Sequence, residues 1–208
     1  GAERHSRNKA LIAPWRAALY DFEPTAARGA LDALCAPDAL FRLSHPLGDF
    51  VGAEAYFNGA IAPLADAWPD LERRDFIVMA GACDNDGDWV GCGGFYTGTS
   101  LGPWLDIPPT GHQIHMRFHE FYRFKDGKIV EMQALWDIPE VMLQAGAWPM
   151  APSLGREWLV PGPATQDGLL NGPYDAEQAE ATKRVIIDML EHMKRHPSEG
   201  GPEVMEME

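Results

Sequence analysis

Glu120 is the only charged residue on one face of a long predicted strand. Alternate residues of a strand point to the same side of a sheet. The other members of this face are apolar or aromatic: Ile114, Met116, Phe118, Tyr122 and Phe124. Burial among such side chains disfavours a charged carboxylate and so favours proton exchange. We therefore predict that Glu120 acts as a general acid or base in a ligand pocket. The structural alternatives are a buried carboxylate paired with an arginine, or a local register that turns Glu120 outward.

A second polar group is predicted at His45, in a loop between two predicted helices. This histidine could donate a hydrogen bond to a substrate carbonyl, although a histidine before a proline is also a common turn residue. Apolar and aromatic side chains are expected to line the pocket, or else to serve as plain core. These are Trp15, Tyr56, Tyr96, Met116, Phe118, Met132 and Trp136.

The opposite face of the Glu120 strand carries His115, Arg117, His119 and Arg123. His115 and His119 lie about 13 Å apart on an extended strand, too far to share a metal ion. A polar dimer face that pairs with Glu131 is the better interpretation. A register slipped by one residue would instead turn Arg117 and His119 into the pocket. No metal site, phosphate-binding loop or nucleotide motif is found, and no cofactor is predicted.

Composition limits the possible partners. The 208 residues carry a formal net charge of −14, which argues against nucleic acid as a partner. No apolar run is long enough to cross a bilayer, so no membrane partner is expected. The three cysteines contain no CxxC pair and are expected to be reduced thiols in a cytoplasmic protein.

Helical and strand patterns alternate along the chain. Amphipathic helices are predicted over 9–22, from Thr25 to about Cys35, and over 53–68, where Pro63 is expected to kink the helix or shift its register. A short strand is predicted over 40–43, followed by long strands over 71–82 and 89–100.

The strand of Glu120 is predicted to form a hairpin around Asp126 and Gly127. The apolar residues of its second strand are Val130, Met132, Ala134 and Trp136. Both apolar sets share one face if a three-residue loop places Phe124 opposite Val130, and Glu120 then lies opposite Ala134.

Four regions follow from these patterns. Residues 9–146 are predicted to form an α+β domain, and 147–174 a Pro- and Gly-rich segment that wraps its surface. Residues 175–196 are predicted to form an amphipathic helix, with Asp175 as its N-cap, and 197–208 a disordered acidic tail.

The 9–146 region resembles the SnoaL-like polyketide cyclases of the nuclear transport factor 2-like superfamily. The similarity lies in the order of elements and in four short segments: Trp68-Pro69-Asp70-Leu71, 107–111, 124–129 and 137–146. It implies a cone-shaped, strongly curved antiparallel or mixed sheet with helices on the concave face enclosing a pocket. It also implies a homodimer made through the outer face of the sheet.

The family chemistry implied by this resemblance is an intramolecular aldol closure without metal or cofactor. Alignment from Gly127 places the family's catalytic aspartate at Ala134 and two family histidines at Met132 and Glu120. The sequence therefore predicts that acid–base work has moved to Glu120. The expected activity is that of a cofactor-independent cyclase, lyase or isomerase acting on a small hydrophobic carbonyl compound. The alternative is a non-catalytic module that binds a small hydrophobic ligand.

Overall fold

An open, six-stranded mixed sheet organises the chain. The computed structural model describes residues 2–83, 87–152, 159–170 and 175–194. The strands are β1 (Cys35–Leu43), β2 (Asp49–Val51), β3 (Glu72–Cys83), β4 (Gly87–Thr99), β5 (Gln113–Lys125) and β6 (Lys128–Trp136). They lie in the order β2-β1-β6-β5-β4-β3, with β1 and β6 parallel and all other neighbours antiparallel. The predicted α+β class is confirmed.

Five α-helices accompany the sheet in residues 2–152. They are α1 (Ala2–Tyr20), α2 (Pro24–Leu34), α3 (Ala53–Tyr56), α4 (Ala62–Ala67) and α5 (Ile138–Gln144). Helix α1 begins at Ala2 rather than at Lys9. Helix α2 is capped by Glu23 rather than by Thr25, because the Glu23 carboxylate accepts hydrogen bonds from the first free N–H groups of the helix. Helix α5 is capped by Asp137, whose side chain accepts a hydrogen bond from the N–H of Glu140 at 3.2 Å.

A π-helical turn joins α3 to α4 and covers Phe57–Ile61. Its hydrogen bond runs from the N–H of Ala62 to the carbonyl of Phe57. Pro63 follows immediately and has no N–H, so an unbroken α-helix could not satisfy the carbonyl four residues before it. The extra residue of the π turn is the register shift that the sequence predicts at Pro63.

The β5–β6 hairpin has a two-residue turn, so the predicted three-residue loop is wrong. Asp126 and Gly127 both have left-handed backbone, with φ of 51° and 76°, and Lys125 pairs with Lys128. Such a turn matches the twist of the flanking strands. A bulge at Val130 then adds one unpaired residue to β6, so that the apolar residues of both strands again lie on the same face of the sheet. Glu120 therefore does lie opposite Ala134.

Helices α1, α2 and α3 lie on one side of the sheet. Helix α1 packs on β3 and β4, and it buries Ile12, Trp15 and Leu19 completely. Helix α3 packs on β1, while α2 contacts both α1 and α3. Full burial of a side chain of this size stabilises the fold by about 1.5–3 kcal/mol. The core is therefore built between these helices and the inward-facing residues of the strands.

Residues 159–170 lie against β3 through a short 3₁₀ turn, Asp167–Leu169. Two glycines in this segment, Gly162 and Gly168, approach Phe76 so closely that a Cβ atom at either would lie 2.4 Å from it. Residues 153–158 and 171–174, which belong to the predicted wrapping segment, lie outside the described residues.

The chain divides into a first unit, residues 1–170, and a second unit, residues 171–208. The described part of the second unit is helix α6 (Ala176–Met193), whose N-cap Asp175 accepts hydrogen bonds from the N–H groups of Glu177 and Gln178, both at 3.0 Å. The predicted tail, 197–208, lies outside the described residues. None of the helices in the described ranges has the length and apolar character needed to cross a membrane.

Candidate functional site

The carboxylate of Glu120 lies in the interior of the first unit and has no exposed surface. Its Oε1 accepts hydrogen bonds from the Tyr96 hydroxyl at 3.0 Å and from Trp136 Nε1 at 2.9 Å. Its Oε2 accepts from Arg73 Nη1 at 2.5 Å and from the Tyr122 hydroxyl. Each oxygen therefore has two donors, which fully satisfies an ionised carboxylate.

Arg73 on β3 is the charged partner of Glu120 and is equally buried. Its other nitrogens bind Asp75, with Nε to Oδ2 at 3.1 Å and Nη2 to Oδ1 at 3.0 Å. Arg16 on α1 also binds Asp75 Oδ2 at 3.0 Å. Burial is the largest single influence and lowers the pKa of Arg73, but Glu120, Tyr96, Asp75 and Tyr122 together outweigh it, and the pKa is raised well above its ordinary value. A chain of alternating charges thus runs from half-buried Arg16 to Glu120.

Three tyrosine hydroxyls surround this chain: those of Tyr56, Tyr96 and Tyr122. Burial, and then the charge of Glu120, raises the pKa of each well above its ordinary value. The hydroxyls therefore remain protonated. Tyr96 accepts a hydrogen bond from Arg73 at 3.1 Å, and Tyr122 accepts one from Trp15 Nε1 at 3.4 Å.

The side chains predicted to line an open pocket are packed against one another instead. Every one of them is at most 4% exposed: Trp15, Tyr56, Tyr96, Met116, Phe118, Met132 and Trp136. Tyr96, for example, packs against Phe118 at a tilt and against Trp136 edge to face, with ring centroids 4.9 and 5.4 Å away. An open pocket lined by these residues is therefore not observed. The structure does bring these residues together around Glu120.

The cavities at the surface lie elsewhere. One of about 790 Å³ separates the start of α1 from the hairpin turns and is lined by Arg4, Arg7, Phe124 and Lys125 among others. Another of about 370 Å³ lies on the outer face of the sheet, beside Met79. Neither reaches Glu120.

His45 is not part of the Glu120 cluster. It is exposed, in the turn between β1 and β2. Leu43, two residues earlier, pairs with Ala134, and Ala134 pairs with Glu120. His45 therefore lies two residues past Leu43, at the end of β1, and not beside Glu120. Its role in substrate binding stays a prediction.

The outer face of β5 carries the other charged side chains, as the sequence predicts, and the register is not slipped. His115 Nε2 lies 3.1 Å from Glu140 Oε1, and Arg117 Nη2 donates to Asp137 Oδ2 at 3.1 Å. Both partners belong to α5 or its cap, whereas Arg123 on the same face binds Glu131 at 2.8 Å, as expected. In the described ranges, no three His, Cys, Asp or Glu side chains converge as a metal site would require.

Glu120 is paired with an arginine, which is the structural alternative given for it above, but the sequence did not identify Arg73 as that arginine. Arg73 shares strand parity with Leu71 and Asp75, both largely buried, and this alternation is a signal that the arginine points inward. The parity breaks after Asp75, because a bulge lies between Asp75 and Ile77. Because of this bulge, no single alternating pattern in the sequence marks which residues of β3 face the interior.

The arrangement defines a class of protein: an α+β domain with an open mixed sheet and a fully buried carboxylate, that of Glu120, in its interior. The model of one family, the SnoaL-like polyketide cyclases, matches residues 16–145. The chain belongs to this family, as its motifs indicate. A comparison with curated proteins found no match.

Solved structures share the fold. AclR from Streptomyces galilaeus, a proposed hydroxylase, is 21% identical and has a TM-score of 0.57, with 72% of this chain and 91% of AclR covered. IdmH from Streptomyces antibioticus, a proposed polyketide cyclase, is 23% identical with a TM-score of 0.55, covering 67% and 98%. A SnoaL-like protein from Jannaschia sp. is 22% identical with a TM-score of 0.54, covering 70% and 95%. At these identities the likeness establishes the fold alone.

Proposed function

We propose that the protein is a cofactor-independent enzyme that moves a proton at a carbon atom next to the carbonyl of a small, mostly apolar compound. The observation that carries this proposal is the ion pair of Glu120 and Arg73 in an otherwise apolar interior. Apolar side chains of similar volume often stabilise a core equally well or better. A charged cluster kept in such a position is therefore a candidate for function.

In the proposed reaction Glu120 is the base. A substrate takes the place of one of the four donors, and a carboxylate oxygen removes a proton from the carbon. The C–H electrons move to the carbonyl oxygen and form an enolate. In an aldol-type cyclase the enolate carbon attacks a second carbonyl. In a lyase the enolate electrons expel a leaving group. In an isomerase the proton returns at another carbon. Tyr96 and Tyr122, which keep their protons, are placed to return one.

Proton exchange measures the first step directly. Wild-type protein is expected to accelerate exchange of the protons next to the carbonyl of 2-tetralone in D₂O, followed by proton NMR. Glu120→Gln should abolish this acceleration, since an amide cannot accept the proton. Glu131→Gln is the matched control, because Glu131 faces outward on the neighbouring strand. Equal exchange by Glu120→Gln and wild type would refute the proposal.

A non-catalytic binding protein is the second candidate. Two observations favour it: the four donors of Glu120 leave no lone pair free, and Ala134 and Met132 stand where the family resemblance places proton-transfer residues. Binding of 2-tetralone without any acceleration of exchange would support this candidate.

We also propose that the protein acts in the cytoplasm as a homodimer through the outer face of the sheet. In support, Met79, Phe121 and Leu135 on β3, β5 and β6 are 44–65% exposed. Leu135→Asp should shift the mass measured by sedimentation equilibrium from dimer to monomer. Val51→Asp, an equally exposed residue on the β2 edge, is the control and should leave the mass unchanged.

A further inference from the structure

The first turns of helix α1 carry polar side chains on the side of the helix that is apolar further along. There Trp15 and Leu19 are fully buried. Arg4, Arg7 and Asn8 precede them at helical spacing, so they lie on the same side. All three line the surface cavity of about 790 Å³ between α1 and the hairpin turns. The helix therefore changes from apolar to polar where it borders this cavity.

Residues of the β3–β4 and β5–β6 hairpins line the other parts of the cavity. Phe124, which is 5% exposed, gives it an apolar surface. Gly87 and Gly127 have left-handed backbone, with φ of 85° and 76°, and a Cβ atom at either would meet no heavy atom within 4 Å. The space is therefore open, unlike the packed interior around Glu120. Its volume is in the range of pockets that hold small ligands.

Asn8 is a buried polar residue of this cavity. It is 3% exposed, and its side chain makes no hydrogen bond in the described part of the chain. Its amide is also not one of the polar atoms that are wholly enclosed without a partner, so its remaining exposed surface opens into the cavity that Asn8 lines. Buried polar groups in native proteins nearly always have a partner. A molecule bound in the cavity is placed to be that partner.

The cavity also holds several cations. Arg7 and Lys125 are exposed and have no charged partner among the described residues. Arg4 binds Asp88, with Nε 2.7 Å from Oδ2. Asp126 is the other acidic group among the described lining residues. Basic side chains thus outnumber acidic ones here, whereas the whole chain has a formal net charge of −14.

We propose that this cavity binds the phosphate monoester of a small apolar compound, with the phosphate held by Arg7, Lys125 and the amide of Asn8. Two cations without a partner match the charge of such a group, which is about −1.5 to −2 at pH 7. An arginine fork fits two phosphate oxygens, and the Asn8 amide supplies a further donor. The apolar part of the compound lies against Phe124.

This site is separate from the one proposed for proton transfer. Glu120 does not line the cavity. Phosphate binding is therefore independent of the proposed enzyme, and no reaction of the ester is implied. Glu120→Gln should bind phenyl phosphate as tightly as wild type does.

Three probes test the chemical class. Phenyl phosphate is expected to bind with a Kd of about 1 mM or lower, measured by calorimetric titration at low salt. Inorganic phosphate lacks the ring and should bind about tenfold more weakly. Benzoate keeps the ring but carries a single charge, and should bind about threefold more weakly. Added salt should weaken the binding of phenyl phosphate, because the cations are exposed.

Nuclear magnetic resonance locates the bound ester. In ¹⁵N-asparagine-labelled protein, phenyl phosphate should shift the side-chain amide resonance of Asn8, which is assigned from its loss in Asn8→Leu. Asn8→Leu should weaken binding by about threefold, since it removes a donor. It should unfold at the urea concentration of wild type or a higher one, because the amide has no partner to lose. A large loss of stability would show that the amide has a structural partner, and would overturn its assignment to the site.

Charge variants test the two cations. Arg7→Gln and Lys125→Gln should each weaken the binding of phenyl phosphate by about threefold. Arg74→Gln is the matched control, because Arg74 is half exposed, pairs with Glu72 and does not line the cavity. It makes the same change in net charge and should leave the affinity unchanged.

Asp126→Asn should have the opposite effect. Asp126 lines the same cavity and repels an anion, so its neutralisation should tighten the binding of phenyl phosphate by about twofold. Asparagine also suits the left-handed backbone of this turn position, where φ is 51°. The variant therefore changes the charge of the cavity and keeps the hairpin.

Several results would overturn the proposal. They are no binding of phenyl phosphate, equal binding of inorganic phosphate, unchanged affinity in both Arg7→Gln and Lys125→Gln, and an equal loss in Arg74→Gln. Loss of binding in Glu120→Gln would place the ester in the interior and would overturn the proposal as well. Failure of 2-tetralone exchange, by contrast, would refute the enzyme and leave this site intact.

Discussion

The two faces of the β5–β6 hairpin both carry paired charges, yet water reaches only one of them. On the inner face, Glu120 and Arg73 are fully buried and surrounded by aromatic rings. On the outer face, Arg123 binds Glu131 at 2.8 Å, with 29% of the arginine side chain and 12% of the glutamate side chain exposed. Two charges in an apolar interior depend on each other, because neither can be solvated alone. A pair that water partly reaches loses less when one partner is removed, because the remaining charge can still be hydrated.

The largest difference between the faces is expected from Arg73→Met. This change leaves a buried carboxylate without its counter-charge and should lower the free energy of unfolding by about 3–5 kcal/mol. Urea denaturation measures the loss. Arg73→Met combined with Glu120→Leu should be less damaging than Arg73→Met alone. A double variant that loses the full sum of both changes would show that the inner pair is not coupled.

A smaller effect is expected from Tyr122→Phe. It removes one of the four donors of Glu120 and leaves the ion pair in place, so the loss should be about 1–3 kcal/mol. The matched control is Tyr20→Phe, because the Tyr20 side chain is 54% exposed. Thermal unfolding of both variants makes the comparison. Equal midpoints would mean that the Tyr122 hydroxyl does not stabilise the carboxylate.

The smallest effect is expected on the outer face. Glu131→Gln should cost no more than about 1 kcal/mol, and the cost should fall as salt is added. The measurement is urea denaturation at low and high ionic strength. A cost as large as that of Arg73→Met would remove the contrast between the faces.

The outer pair should also respond to acid. Hydrogen bonding from Gln133, and then from Arg123, lowers the pKa of Glu131 below its ordinary value of 4.5. The ionised form is thus favoured in the folded state. Its stabilisation is present above pH 4.5 and is lost as the pH falls through the lowered pKa. The difference in stability between wild type and Glu131→Gln should accordingly disappear in acid, and a constant difference would contradict this explanation.

The sequence predicts the inner face of the hairpin because neighbouring residues encode it. The alternation around Glu120 and the Asp126-Gly127 turn place Glu120 opposite Ala134. The loop length was wrong because a bulge at Val130 has the same effect on parity as an extra turn residue. The bounds of α5 follow from its cap, Asp137.

The rest of the site depends on residues that meet only in the folded chain. Arg73 lies on β3 at the far side of β4 from Glu120, and no local pattern links the two. The sequence identifies aromatic residues for the interior but not whether they leave space between them. That depends on ring orientations such as those of Tyr96 and Trp136, which only three-dimensional packing fixes.

The parallel pairing of β1 with β6 has a consequence for synthesis and folding. Leu40 pairs with Glu131, so during synthesis β1 has no main partner until β6, the last strand of the sheet, has been made. Contacts this distant in the chain slow folding. Until β6 arrives, β5 also has an unpaired edge, which is a template for aggregation. A chain that stops before Lys128 is therefore expected to aggregate rather than to form a smaller version of the domain.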